Sequence, residues 1–163
     1  MLASPDAAKR TARRLSMDDL ERVIAIDRTH VGHSRRHFFE KRMQVATLNP
    51  NDFIQIGVMW GGALCGFAIA RILRGDFGRE QAVAVLDAVG VEPDSQECGV
   101  GRCLMQELAC AMRRMGVDSL QSQAAWRDQN LLRFFHASGF EIAPRLALER
   151  TVAERLDEPS EEI

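Results

Sequence analysis

The chain has 163 residues, 46% hydrophobic and 27% charged, with a formal net charge of −2 at pH 7. That length suits a single domain with a real core, and the slightly acidic balance argues against nucleic acid or an anionic membrane as the main partner. The four cysteines form no CxxC pair, the N-terminus lacks the apolar core of a signal peptide, and no apolar stretch is long enough to cross a bilayer, so a cytoplasmic protein with reduced thiols is expected.

In chain order, residues 1–11 read as a loose tail and residues 12–15 as a short first strand. Ser16 and Asp19 make a capping-box pattern, with Asp in place of Glu, and Met17, Leu20, Val23 and Ile24 then recur on one helical face. Gly32 breaks that pattern. Ser34 opens a second helix carrying Phe38, Phe39, Met43 and Ala46, which Asn49-Pro50-Asn51-Asp52 ends. Phe53–Trp60 and Ala63–Leu73 flank Gly61-Gly62, a strong hairpin signal. The second of these runs is apolar on both faces and reads as a central strand. Gln81–Val91 is the next strand.

A helix over residues 100–115 carries Val100, Leu104, Leu108, Ala111 and Met115 along one stripe, and Gly116 ends it as a C-cap. Val117–Ala124 reads as a strand. Asp128 or Asn130 caps a helix that runs to Gly139. Residues 140–152 give one or two final strands, and residues 153–163 form an acidic tail. The expected organisation is one domain over residues 12–152 between two tails.

The most informative stretch is Val91–Leu108, where a strand passes through a glycine loop into a long helix. A helix start offers N–H groups with no partner inside the helix, together with the positive end of its dipole. Gly99 and Gly101 let that backbone approach a bulky anion, so the unit reads as a phosphate-binding site. Arg102 and Cys103 follow Gly101, so the loop lacks the Gly-Lys-Ser/Thr ending of a nucleoside triphosphate loop. Met105 and Gln106 stand beyond it, so the third glycine of a dinucleotide fingerprint is missing too.

Two motifs in register resemble the GNAT superfamily of acyl-CoA-dependent N-acetyltransferases. The first is Val91-Glu92-Pro93 followed by Gln96-Glu97-Cys98-Gly99-Val100-Gly101; the second is Asn130, Phe134-Phe135 and Gly139-Phe140. The order of elements over residues 12–152 is similar as well. The resemblance implies a mixed α/β fold, with a mostly antiparallel central sheet of six to seven strands flanked by about four helices. It implies acetyl-CoA as acyl donor, with its diphosphate on the backbone of Gln96, Glu97, Cys98, Gly99, Val100, Gly101 and Arg102. The pantetheine arm would lie along Val89 and Val91, with Asn130 and Phe135 beside it. Gly90, between the two valines, suits a close backbone approach or a bulge.

The reaction implied is direct transfer of the acetyl group to a primary amine. The Val89 N–H is then the candidate to polarise the thioester carbonyl, and Asp87 the candidate base. Asp87 also reads as a surface charge on a solvated strand face or as a partner for an arginine. Many relatives carry a tyrosine acid where this chain has Phe135, and the chain contains no tyrosine. That gap leaves the source of the leaving-group proton open and supports an alternative, a non-catalytic acyl-CoA-binding regulatory module. His30, His33 and His37 lie in the segment that borders the acceptor pocket in this family. No carboxylate or cysteine set accompanies them, so no metal is expected. A homodimer is compatible with the resemblance, and the acceptor amine is not specified.

Overall fold

The computed structural model describes residues 10–75 and 78–151, so most of the two expected tails lies outside the described residues. The elements are β1 (Thr11–Arg14), α1 (Leu20–Val31), α2 (Arg36–Leu48), β2 (Phe53–Trp60), β3 (Ala63–Leu73), β4 (Val83–Val91), α3 (Val100–Arg114), β5 (Leu120–Gln121) and α4 (Gln129–Ala137). Short 3-10 turns at Met17–Asp19 and Pro93–Cys98 lead into α1 and α3. One sheet runs in the order β1-β2-β3-β4-β5, antiparallel except for the last, parallel pair.

The hydrophobic pattern explains the layering. Ile54, Ile56 and Val58 of β2 and Ala68, Ala70 and Ile72 of β3 point to one face, where Val100, Leu104, Leu108 and Met112 of α3 cover them. Phe67 and Ile69 point to the other face, against Val23, Ile24 and Ile26 of α1 and Phe39 and Met43 of α2. A Cβ on Gly66 would lie 2.6 Å from Val100 Cγ1, so this glycine is what lets α3 sit so close to β3.

At the N-terminus of α1 the Ser16 N–H donates to Asp19 Oδ2 at 2.9 Å, as the capping box predicts. Arg13 of β1 adds a two-pronged bond to the same carboxylate, at 2.7 and 2.8 Å. The second helix begins later than Ser34 implies, with Arg35 at its N-cap.

The sheet has five strands among the described residues, not six to seven. The segment Val117–Ala124 pairs only at Leu120–Gln121. Residues 141–150 are exposed throughout and form no strand. Leu146 and Leu148 keep the alternation of a strand, but a strand exists only against a partner edge, and none among the described residues pairs with this segment.

Candidate active site

The site is made by a fault in β4. Ile69 faces Ala88 and Ala70 faces Leu86, so Asp87 is an extra residue with no partner on β3. Without it, the period of two would put Ala88 and Gly90 on the α3 face with Ala84 and Leu86. The extra residue shifts the phase. Val89 and Val91 pack on the α3 face instead, and Ala88 joins the α1–α2 face. The bulge is therefore at Asp87 and not at Gly90. Gly90 meets its own core: a Cβ there would lie 2.7 Å from Phe67 Cε1 and 3.1 Å from Ile26 Cγ2.

Beyond the bulge, β4 and β5 part. Ala84 N–H still reaches Ser119 O at 2.8 Å, and the Ser122 hydroxyl donates to Leu86 O at 3.0 Å. Past that point no strand among the described residues takes the β5-side edge of β4. Glu92 N–H donates to Cys65 O of β3 at 2.7 Å. By the two-residue period, Val91 and Val89 aim their N–H and C=O groups the other way, at the open edge.

That edge is one wall of a cleft of about 420 Å³. The cleft is closed by the end of α1, by Gln96 of the 3-10 turn and Gly101 at the start of α3, and by Asn130, Phe134 and Phe135 of α4. Gly99 has φ +75°, the left-handed conformation in which glycine is unstrained, and caps α3. The first bond of this helical turn runs from Cys103 N–H to Gly99 O, which leaves the N–H groups of Val100, Gly101 and Arg102 without a partner inside the helix. The Val100 side chain is fully buried, so only its backbone faces any ligand. A guanidinium N–H of Arg10 donates to Cys98 O behind the loop. Burial, with Glu107 nearby, pushes the Cys103 thiol up, which keeps it protonated and un-nucleophilic.

Charged groups around the cleft are mostly paired. Asp27, 3% exposed, takes two bonds from Arg35, at 2.9 Å from Nε and 2.5 Å from Nη2. The carboxylate holds the Arg35 guanidinium above its ordinary pKa. Arg71 Nε donates to Asp87 Oδ1 at 3.0 Å. Arg42 Nε lies 3.3 Å from Asp87 Oδ2, a charge contact whose angle makes no hydrogen bond. Asp128, and not Asn130, caps α4 by accepting from Leu131 N–H at 3.0 Å. Phe135 stacks 4.7 Å from Phe140 and offers no proton. The three histidines separate: His30 lines the cleft, His33 turns back on Val31 O, and His37 is exposed on α2.

Among the expected residues, Asp87, Val89, Val91, Gln96, Gly101, Asn130 and Phe135 line one cleft, while the side chains of Glu97, Cys98, Val100 and Arg102 do not. Sequence reasoning did not single out Asp27 or Ser122. Asp27 had a signal, a charge at a core-facing position one turn after Val23 and Ile24. Among the described residues, no group of His, Cys, Asp and Glu is placed to hold a metal, and no helix is long and apolar enough to cross a membrane.

Residues 15–140 match the acetyltransferase (GNAT) family, and the chain belongs to it. It is an acetyl-CoA-dependent acyltransferase by that membership. No curated protein matches it in sequence. Solved structures share its fold. The aminoglycoside antibiotic 6'-N-acetyltransferase AAC(6')-Ih from Acinetobacter baumannii is 16% identical with a TM-score of 0.74, over 89% of this chain and 99% of that one. The aminoglycoside N-acetyltransferase AAC(6')-Iy, solved with CoA, is 19% identical with a TM-score of 0.74, over 93% and 100% of the two chains. A transcriptional regulator from Bacillus halodurans C-125 is 16% identical with a TM-score of 0.74, over 88% and 100%.

Proposed function

We propose that this protein transfers an acetyl group from acetyl-CoA directly to a primary amine held in the cleft. The observation that carries the reading is the open edge of β4, which leads from the Asp87 bulge to the unpartnered amides of α3. An extended amide chain ending in a diphosphate matches that track. The pantetheine amides pair with Val89 and Val91 as an added strand would. The diphosphate rests on the backbone from Gln96 to Arg102, where helix dipole and free N–H groups act together. Asn130 and Phe135 close over the arm from α4.

Chemistry then falls at the bulge. The Val89 N–H sits where charge develops on the thioester oxygen, and its position is set before the reaction by the strand. Asp87, expected as the base, has both oxygens beside guanidinium groups. Its role in this reading is to fix the bulge that turns Val89 outward. Aminoglycosides, the compounds named for two of the similar structures, belong among the acceptors to be tried.

Calorimetry with acetyl-CoA, followed by thiol release across a panel of sisomicin, polyamines, lysine and short peptides, tests the proposal. The wild type should bind the coenzyme and release thiol only when an amine acceptor is present. Gly101→Glu should abolish binding: any Cβ there lies 2.9 Å from Phe134 Cε2, and a carboxylate would face the phosphates. Unchanged affinity in that variant contradicts the proposed diphosphate site.

A further inference from the structure

We propose that His30 is the proton carrier of the transfer reaction. Its Nδ1 takes the proton from the acceptor amine and gives it to the departing thiolate, while Nε2–H stays on the Val91 carbonyl. This rests on the acetyl-transfer reading above and answers what that reading leaves open, the absence of a tyrosine acid.

The ring geometry sets the tautomer. His30 Nε2 lies 2.7 Å from Val91 O. A carbonyl oxygen only accepts, so Nε2 carries the proton and the neutral ring keeps its lone pair on Nδ1. When Nδ1 takes a second proton, the bond to Val91 becomes charge-assisted and strengthens, so the carbonyl steadies the imidazolium as it forms. The ring sits on the open edge, one two-residue strand repeat from Val89, about 7 Å along the strand. That is too far for direct transfer, so in this proposal the proton crosses between the ring and the thioester along two bridging waters.

The other ionisable side chains that line the cleft are engaged, while Gln96, Gln123 and Asn130 have no titratable group. Asp27 on the same helix is taken by Arg35 from the start of α2. Asp87 on β4 faces Arg71 and Arg42. Glu92, next to Val91, is bound by Arg22 at 2.5 Å. Asp128 caps α4, Ser122 donates to Leu86 O, and His33 turns back on Val31 O. His30 combines a fixed ring with an unengaged proton-accepting nitrogen.

One carrier is enough for the balance of the reaction. The acceptor first gives its ammonium proton to solvent; then, as the C–N bond forms and the C–S bond breaks, the neutral amine sheds one proton and the thiolate takes one. A group that accepts the first and returns it to sulfur leaves the enzyme as it began, so Phe135 costs the mechanism nothing. A neutral imidazole is suited to both halves near neutral pH.

The decisive variant is His30→Gln, whose side-chain N–H can keep the bond to Val91 O but which has no proton-accepting nitrogen. Thiol release from acetyl-CoA is measured with the best amine of the panel and with water alone, so the comparison does not wait on the natural acceptor. H30Q should bind acetyl-CoA within about twofold of wild type and turn over about a hundredfold slower or worse. Nitrogen-detected NMR of the imidazole should place the neutral-ring proton on Nε2. Wild-type turnover in H30Q, an affinity loss that accounts for the whole rate loss, or a proton on Nδ1 would overturn the proposal. Failure of the wild type to bind acetyl-CoA would instead overturn the acetyl-transfer reading.

Discussion

The first four strands with α1, α2 and α3 differ sharply from β5, α4 and the segment after them. In the first region Phe39, Phe67, Ile26, Met43, Leu104 and Leu108 are wholly buried, and both faces of the sheet are covered. Beyond Val117 no described side chain is wholly buried, and Phe135, 8% exposed, is the one apolar side chain that comes near it. Leu120, Leu131, Phe134 and Phe140 are only partly covered, and Trp126 is 78% exposed. The cleft lies on the boundary. The wall proposed to hold the coenzyme, β4 and the start of α3, belongs to the closely packed region, and its other wall belongs to the lightly packed one. The lesson is a division of labour. Groups that must be positioned to a fraction of an ångström sit on elements fixed by packing, whereas a wall with few buried contacts opens at low free-energy cost.

The strongest way to break this comparison is to empty the packed region. Phe67 stacks edge-on to Phe39 at 5.6 Å and lies under Gly90. Phe67→Ala should cost roughly 3–5 kcal/mol, read as a fall in the thermal midpoint, and should loosen the coenzyme wall with it. A loss below about 1 kcal/mol would mean the sheet face is not the close-packed layer described. Overfilling is the next test. Gly66→Val should cost about 1–3 kcal/mol, because its side chain must displace Val100 and Leu104 or the Gly90 carbonyl. Acetyl-CoA affinity should fall as α3 is pushed from β3, and calorimetry reads that separately from stability.

The same division decides what could be read in the sequence. The hairpin bounds Phe53–Trp60 and Ala63–Leu73 agree with the structure to the residue, because Gly61-Gly62 and two apolar runs admit few alternatives. Helix α3 was legible for a similar reason, since Val100, Leu104 and Leu108 are buried as expected between two glycines, although Met112 and not Ala111 or Met115 is the buried residue of its last turn and Met115 is the C-cap. The bulge was not. A charged residue in an apolar strand looks the same whether the strand is regular or carries an extra residue, and only the partner's register distinguishes the two. An arginine partner for Asp87 was among the readings the sequence offered, but which arginines engage Asp27 and Asp87 was hidden because they lie 8 to 45 positions away along the chain. The strands expected at 140–152 failed on pairing and not on pattern. Alternation states which residues seek cover, but the edge that provides it is a tertiary fact.

A smaller effect sharpens the comparison through pH. Arg13 hydrogen-bonds Asp19 and holds that carboxyl below its usual value. A carboxyl bound more tightly as its anion in the folded state adds stability above its ordinary pKa, and this is lost as pH falls through the lowered one. Arg13 is 43% exposed, so screening limits the pair to about 1 kcal/mol or less. Arg13→Ala should therefore destabilise at pH 7 by that amount. Its deficit against wild type should shrink as the pH drops below about 4, followed by urea midpoints across the range. A deficit that is constant with pH would assign the loss to packing by the arginine stem.

The smallest predicted effect is also the most diagnostic of the lightly packed region. Ile142, Leu146 and Leu148 are 100%, 88% and 91% exposed. Changing Leu146 or Leu148 to Asn removes no contact with the body of the chain, so each should shift stability by less than about 0.5 kcal/mol. The same chemistry at Leu104, wholly buried on α3, would leave an unpaired amide in the core and should cost several-fold more. If the two sites instead respond alike, residues 141–150 are covered in solution and the region is not the open wall described. A concentration-dependent midpoint would then place that cover between molecules, and a concentration-independent one within a single chain.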